Sequence, residues 1–114
     1  MAGKYPKLQE PIMVGKLKVK NRLVFPPTST QYASSSGELT DLFVDHYHRI
    51  ASGGVGLIIV ENTSIRYPQG KNVVRQPRLD SNKYIAPYRE LADVAHMYGC
   101  KIFQQIHHAG RETN

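Results

Sequence analysis

Each apolar run in this chain ends in a polar loop and each amphipathic run ends in glycine, an alternation that leaves few folds open. Ile12-Met13-Val14 and Leu17 to Lys20 flank Gly15-Lys16, the pattern of a tight β-hairpin. Leu23 to Phe25 reads as a buried strand, ended by Pro26-Pro27, which remove two backbone donors. A polar loop follows from Thr28 to Gly37, and its Ser-Ser-Ser-Gly core is expected to be mobile or ligand-facing. Thr40 is placed to cap a helix carrying Leu42, Phe43, His46, Tyr47, Ile50 and Ala51 at helical spacing, with Gly53-Gly54 closing it. Val55 to Val60 is apolar throughout, as a strand covered on both faces must be. After a polar loop from Glu61 to Pro77, a second helix is predicted from Asn82 to Tyr98, stopped by Gly99. Its stripe is Tyr84, Ile85, Tyr88, Leu91, Ala92 and Ala95, and the tyrosines read as core and rim packing. Cys100 to Ile106 is the last strand, running into the polar, glycine-broken loop that starts at His107.

Strands alternating with helices must lie parallel, joined by right-handed crossovers, which leaves a doubly wound sheet or a (β/α) barrel. A dinucleotide-binding sheet needs Gly-x-Gly-x-x-Gly after its first strand, whereas this chain has Pro-Pro-Thr-Ser-Thr there. The expected class is therefore α/β, the amino-terminal portion of a TIM (β/α)8 barrel with a β-hairpin capping its bottom. A closed barrel takes eight units and about 250 residues. These 114 residues supply three strands and two helices, so the piece is expected to need the remainder of its own barrel to cover its open edges.

The other composition signals mostly exclude. No apolar run approaches membrane-spanning length, and the basic, proline-containing start does not read as a secretory signal, so a cytoplasmic protein without membrane contact is expected. Cys100 is the single cysteine, which rules out an internal disulfide and reads as a small core residue. A net charge of +6 would suit an anionic partner. The basic residues are scattered, however, and Lys16, Lys18, Lys20 and Arg22 alternate with the period of a solvated strand face, so no nucleic acid is expected.

Candidate chemistry lies after the strands. Glu61 with His107 and His108 allows an alternative reading as a metal- or acid/base-dependent barrel lyase or hydrolase. Adjacent strand residues point to opposite faces, so His107 and His108 are poor joint ligands; they are expected to structure the loop, and no metal is assigned. Arg111 is expected to pair with a loop carboxylate or carbonyl, and His46, His48 and His96 to be surface or interhelical. A third reading is a non-catalytic piece that acts only by assembling with its missing part.

Three motifs occur together: Asn21-Arg22-Leu23-Val24-Phe25-Pro26-Pro27, Gly53-Gly54-Val55-Gly56-Leu57-Ile58-Ile59-Val60-Glu61, and Gln105-Ile106-His107-His108-Ala109-Gly110-Arg111. In order and spacing they resemble successive signatures of the old yellow enzyme family of NAD(P)H:flavin oxidoreductases, and Glu10 to Lys20 resembles the hairpin that plugs that family's barrel. The resemblance implies an FMN enzyme that takes hydride from NAD(P)H and delivers it to the activated C=C bond of an α,β-unsaturated carbonyl compound, a small-molecule substrate. It also implies the cofactor-binding residues. Gln105 faces the donor- and acceptor-rich pyrimidine edge. Pro26, Pro27, Thr28 and Ser29 pass beside the ring, with the Ser29 hydroxyl near its O4/N5 edge. Asn62 stands where the family has small residues whose backbone approaches the flavin. Gln31 matches a substrate-binding position. The catalytic His pair or His/Asn pair and the Tyr lie beyond Asn114, so no catalytic residue is assigned and the isolated fragment is expected to be inactive. A 4Fe-4S cluster or FAD is implied only with a carboxy-terminal extension, and homo-oligomerisation is left open.

Overall fold

The computed structural model describes residues 3–113. Its regular elements are β1 (Ile12–Val14), β2 (Leu17–Val19), β3 (Val24–Phe25), α1 (Asp41–Ser52), β4 (Leu57–Ser64), α2 (Ile85–Met97) and β5 (Lys101–His107), with 3-10 turns at Pro6–Gln9, Asn82–Tyr84 and Gly110–Glu112. β1 and β2 form an antiparallel hairpin closed by Val14 opposite Leu17, and Gly15 takes the left-handed φ of 57° that the two-residue turn requires. β3, β4 and β5 form a parallel sheet in that order.

Both helices lie on one face of this sheet. Phe43, Tyr47 and Ala51 of α1 and Leu91 and Ala95 of α2 close on Ile58 and Val60 of β4, with Cys100 completing the buried cluster. A doubly wound sheet distributes its helices over two faces; helices that share one face and pack on each other form an arc of a barrel. Thr40 caps α1 by accepting from Phe43 N at 3.1 Å, and Gly54 and Gly99 follow the helices with φ of 103° and 68°. Leu42 and Ile85, which helical spacing puts on the apolar stripes, are 56% and 43% exposed. Each sits in the first turn, at the margin of its helix–sheet contact.

Three expectations from the sequence are corrected. The strand read as buried has Leu23 and Val24 38% and 51% exposed, since nothing among the described residues covers its other face. β4 does not stop at Val60; it continues through Glu61-Asn62-Thr63-Ser64, because β5 still pairs there and Ser64 N donates to Pro77 O on the other side at 2.8 Å. The Ser34-Ser35-Ser36-Gly37 loop is tied down by its neighbours: Arg78 N donates to Gly37 O at 3.0 Å, and Tyr67 OH donates to Ser35 O at 3.1 Å.

The hairpin closes the end at which the parallel strands begin. Lys20 Nζ donates to Tyr98 O at 2.5 Å and Asn21 Nδ2 to Gly54 O at 2.7 Å, so Lys20 belongs to this seam rather than to a free basic face. Gly56 makes the close approach possible, since a Cβ there would stand 2.5 Å from Asn21 Oδ1 and 2.8 Å from Val19 Cγ1. Replacing Gly56 with alanine should destabilise the protein by about 1–3 kcal/mol, the usual cost of overpacking, read as a lower urea midpoint. An unchanged midpoint would show that the hairpin yields freely.

Candidate functional site

The chemistry of the rim follows from which way each side chain faces at the carboxyl ends of β3, β4 and β5. Ile58, Val60 and Ile102 pack into the helix layer, so by alternation Ile59, Phe103, Gln105 and His107 face the opposite side, the inside of the arc. The register of β4 on β5 then slips. Val60 is opposite Gln104, yet Thr63 is opposite Ile106, so a bulge occupies Glu61 and Asn62. The extra residue keeps Glu61 on the helix side, bonded to Tyr47 OH at 2.9 Å, and leaves Asn62 facing inward beside Gln105.

On the helix side of the bulge the polar groups of Glu61 are all paired, while His46 Nε2 on α1 is buried without a partner. The Glu61 carboxylate is 1% exposed and accepts from Tyr47 OH, from Thr30 N at 2.9 Å and from Thr30 Oγ1 at 2.9 Å. Its backbone groups, freed by the bulge, are also served: Glu61 N donates to Tyr47 OH at 3.1 Å and Gln104 Nε2 donates to Glu61 O at 3.1 Å. Gln104 Nε2 also donates to Thr63 Oγ1 at 2.6 Å. Thr28 Oγ1 turns back to Pro26 O at 3.2 Å.

On the inner side His107 is paired with a returning loop, but several polar groups near it are not paired. Among the described residues neither the Gln105 amide nor the Ser29 hydroxyl makes a hydrogen bond, and both residues are exposed. Asn62 Nδ2 reaches Asn72 Oδ1 at 3.4 Å, while Asn62 Oδ1 is buried with no partner. Gln31 is exposed at the same rim and holds a φ of 58°, rare for a residue with a side chain. The candidates at Ser29, Asn62 and Gln105 thus come from three neighbouring strand ends of one sheet, whereas Glu61 points away from them.

The loop after β4 folds back over this rim. Gln76, fully buried, accepts Asn72 N at 2.8 Å on Oε1, so its amide nitrogen is the group that meets His107 Nδ1 at 3.0 Å. That assigns the acceptor lone pair to Nδ1 and the proton of a neutral His107 to Nε2. His108 Nδ1 accepts from Gly110 N at 3.0 Å, so the two histidines brace different segments, as a loop-structuring role requires. Gly70 passes beneath: a Cβ there would lie 2.8 Å from Arg66 O and 3.0 Å from His108 Cδ2. Arg78 is held by both oxygens of Asp80 at 2.8 Å and stacks on Tyr67 and Tyr84, and this ion pair holds the Asp80 carboxyl below its usual range. His48 bonds Tyr98 OH between the helices at 2.7 Å, and Arg111 pairs with Glu112 at 3.4 Å. The sequence reading missed Gln104, Gln76 and Thr30. Gln104 alone carried a signal, the polar–apolar alternation against Gln105.

Burial is the main force raising the Tyr47 phenol, with the Glu61 charge adding to it, and burial likewise raises Tyr88. A folded-state pKa above the unfolded one means that this stability is complete below about pH 10 and is lost as pH climbs beyond it. The urea midpoint should fall above that pH, and Tyr47→Phe should flatten the fall while lowering the midpoint at neutral pH. An equally steep fall in the variant would show that Tyr47 is not its source.

Comparison with known proteins gives a consistent result. The family model described as NADH:flavin oxidoreductase / NADH oxidase matches residues 7–114. The chain is 50% identical over 109 residues to an NADH oxidase of Thermoanaerobacter brockii, covering 96% of this chain and 17% of that protein. It is 36% identical to an NADPH dehydrogenase of Bacillus subtilis, covering 94% and 32%. Among solved structures, 2-naphthoyl-CoA reductase in complex with 2-naphthoyl-CoA superposes with a TM-score of 0.92 at 27% identity, over 96% of this chain and 17% of that one. The old yellow enzyme of Pichia sp. AKU4542 gives 0.86 at 32% identity, over 94% and 28%. The chain thus spans less than a third of the length of these relatives.

Proposed function

Because the chain belongs to the NADH:flavin oxidoreductase / NADH oxidase family, that of old yellow enzyme, we propose that its rim holds the pyrimidine side of FMN. The whole protein would be an oxidoreductase that moves hydride from NAD(P)H to the activated C=C bond of an α,β-unsaturated carbonyl compound. The observation that carries this reading is that Asn62 Oδ1 is buried without a partner at the same rim where the Gln105 amide and the Ser29 hydroxyl are left without one.

The residues fit the group. A pyrimidine edge needs fixed donors and acceptors, and Gln105 offers one of each from a strand, where its position is stiff. Ser29 offers a hydroxyl to the O4/N5 edge, which favours negative charge there. Pro26 and Pro27 supply a wall without competing backbone donors, and the Thr28 hydroxyl is occupied by Pro26 O. The unpartnered Asn62 Oδ1 gives a bound ring an N–H acceptor in addition to the backbone approach. Gln31, in its left-handed conformation, would stand on the substrate side. When bound, FMN supplies the hydride chemistry itself. The names of the relatives, an NADH oxidase, an NADPH dehydrogenase and a reductase of an aromatic thioester, support a nicotinamide reductant and a conjugated carbonyl acceptor. The one cysteine is buried in the core, so any iron–sulfur ligands would come from other residues.

The test uses the full chain in which these residues occur. It should take up FMN with quenching of flavin fluorescence, and Gln105→Ala should weaken uptake by about tenfold, the worth of one to two hydrogen bonds at a ligand. A full chain that takes up no FMN, or a Gln105→Ala variant that binds as tightly as the parent, would refute the assignment.

A further inference from the structure

The Glu61 carboxylate is the most heavily hydrogen-bonded side chain in the sheet, and its bonds lead to the rim. Its two oxygens collect three donors from two other elements: the Tyr47 hydroxyl on α1, and the backbone N–H and hydroxyl of Thr30 in the loop after β3. Thr30 Oγ1 in turn accepts from Tyr32 N at 3.1 Å, and the Tyr32 carbonyl accepts from Thr40 Oγ1 at 2.5 Å. The segment is therefore pinned at Thr30 and Tyr32, with Ser29 directly before the first pin and Gln31 between the two, and both of these residues are exposed. Gln31 adopts its left-handed backbone between two such pins. An ionised carboxylate suits this post because it only accepts, and a carboxamide in its place would present N–H groups to one of the three donors.

We propose that Glu61, acting through Thr30, is a positioning residue that sets the height and direction of Ser29 over the flavin. The inference rests on the flavin-site reading given above. It adds that the tuning of the ring by Ser29 is controlled from the helix side of the sheet, by a group that never touches the ring. The bulge makes this possible, since without the extra residue Glu61 would face the interior and Thr30 would have no anchor.

The experiment measures the reduction potential of bound FMN, by equilibration with a reference dye, in the full flavin-loaded chain and in Ser29→Ala, Thr30→Val and the double variant. Thr30→Val keeps the β-branched shape and the Glu61 charge and removes only the hydroxyl. Ser29→Ala should lower the potential, Thr30→Val should lower it by at least half as much, and the double variant should fall no further than Ser29→Ala, because both changes act through one hydroxyl. Thr30→Ser, which restores the hydroxyl, should return the parent value, and it serves as the comparison if the valine variant folds poorly. A parent-like potential in Thr30→Val, or a shift that adds in full to that of Ser29→Ala, would overturn the positioning role while leaving the flavin site standing. A parent chain that takes up no FMN would remove both.

Discussion

Between Val60 and Thr63, β4 advances three residues while β5 advances two, and the facing of every side chain above that point depends on this mismatch. Strand parity is strict, so without the bulge Glu61 would point into the arc and Asn62 into the helix layer. Glu61 would then be a buried charge with few donors, and Tyr47 would lose its acceptor beneath an otherwise apolar cluster. The bulge also costs ladder bonds at Glu61, and the replacements come from side chains: the Tyr47 hydroxyl takes the amide and Gln104 serves the carbonyl. A break in the sheet thus becomes the junction at which sheet, helix and rim loop are joined.

The same junction explains how one short strand pair serves two environments. The lower part of the sheet, Leu57 to Val60, is fully apolar and holds α1 and α2 by burial. The upper part, Glu61 to Ser64, is polar yet still largely buried, with Glu61, Thr63 and Ser64 each at most 1% exposed. Buried polar groups are tolerated only when paired, and here the pairs run outward to Tyr47, Gln104 and the returning loop. Polar strength is kept away from the interior side, where Ser29 and Gln105 stay uncommitted.

Much of the architecture was legible in the sequence. The hairpin turn, the Thr40 cap, the helix stops and the order of strands all rest on local rules, and each was found where those rules put it. The residues proposed to face a flavin were picked out by motif resemblance rather than by periodicity. The upper half of β4 was illegible because Glu-Asn-Thr-Ser reads as loop by composition, and only pairing on both edges makes it strand. The Thr30–Glu61 and Gln76–His107 bonds span 31 residues each, a separation at which no local pattern survives. Gln104 and Gln105 show the limit most directly: adjacent and chemically identical, they differ only in the face each occupies, and that is fixed by the register with β4.

The returning loop carries the argument one step further. Residues 77–79 pair with Ser64 on the side of β4 that β3 has already left, extending the sheet with a segment that belongs to no regular strand. β3 is only two residues long, because Pro26 and Pro27 deny it further donors. The prolines thus do two things at once: they release the rim segment that carries Ser29, and they vacate an edge that the loop then fills through Pro77 O and Leu79 N. Arg78, fixed at that edge by Asp80, reaches back to Gly37 and Ser36 and fastens the loop that leads into α1. The short strand, the bulge and the returning loop are therefore one solution to a single geometric demand: to end β3 and widen β4 without leaving buried backbone groups unpaired.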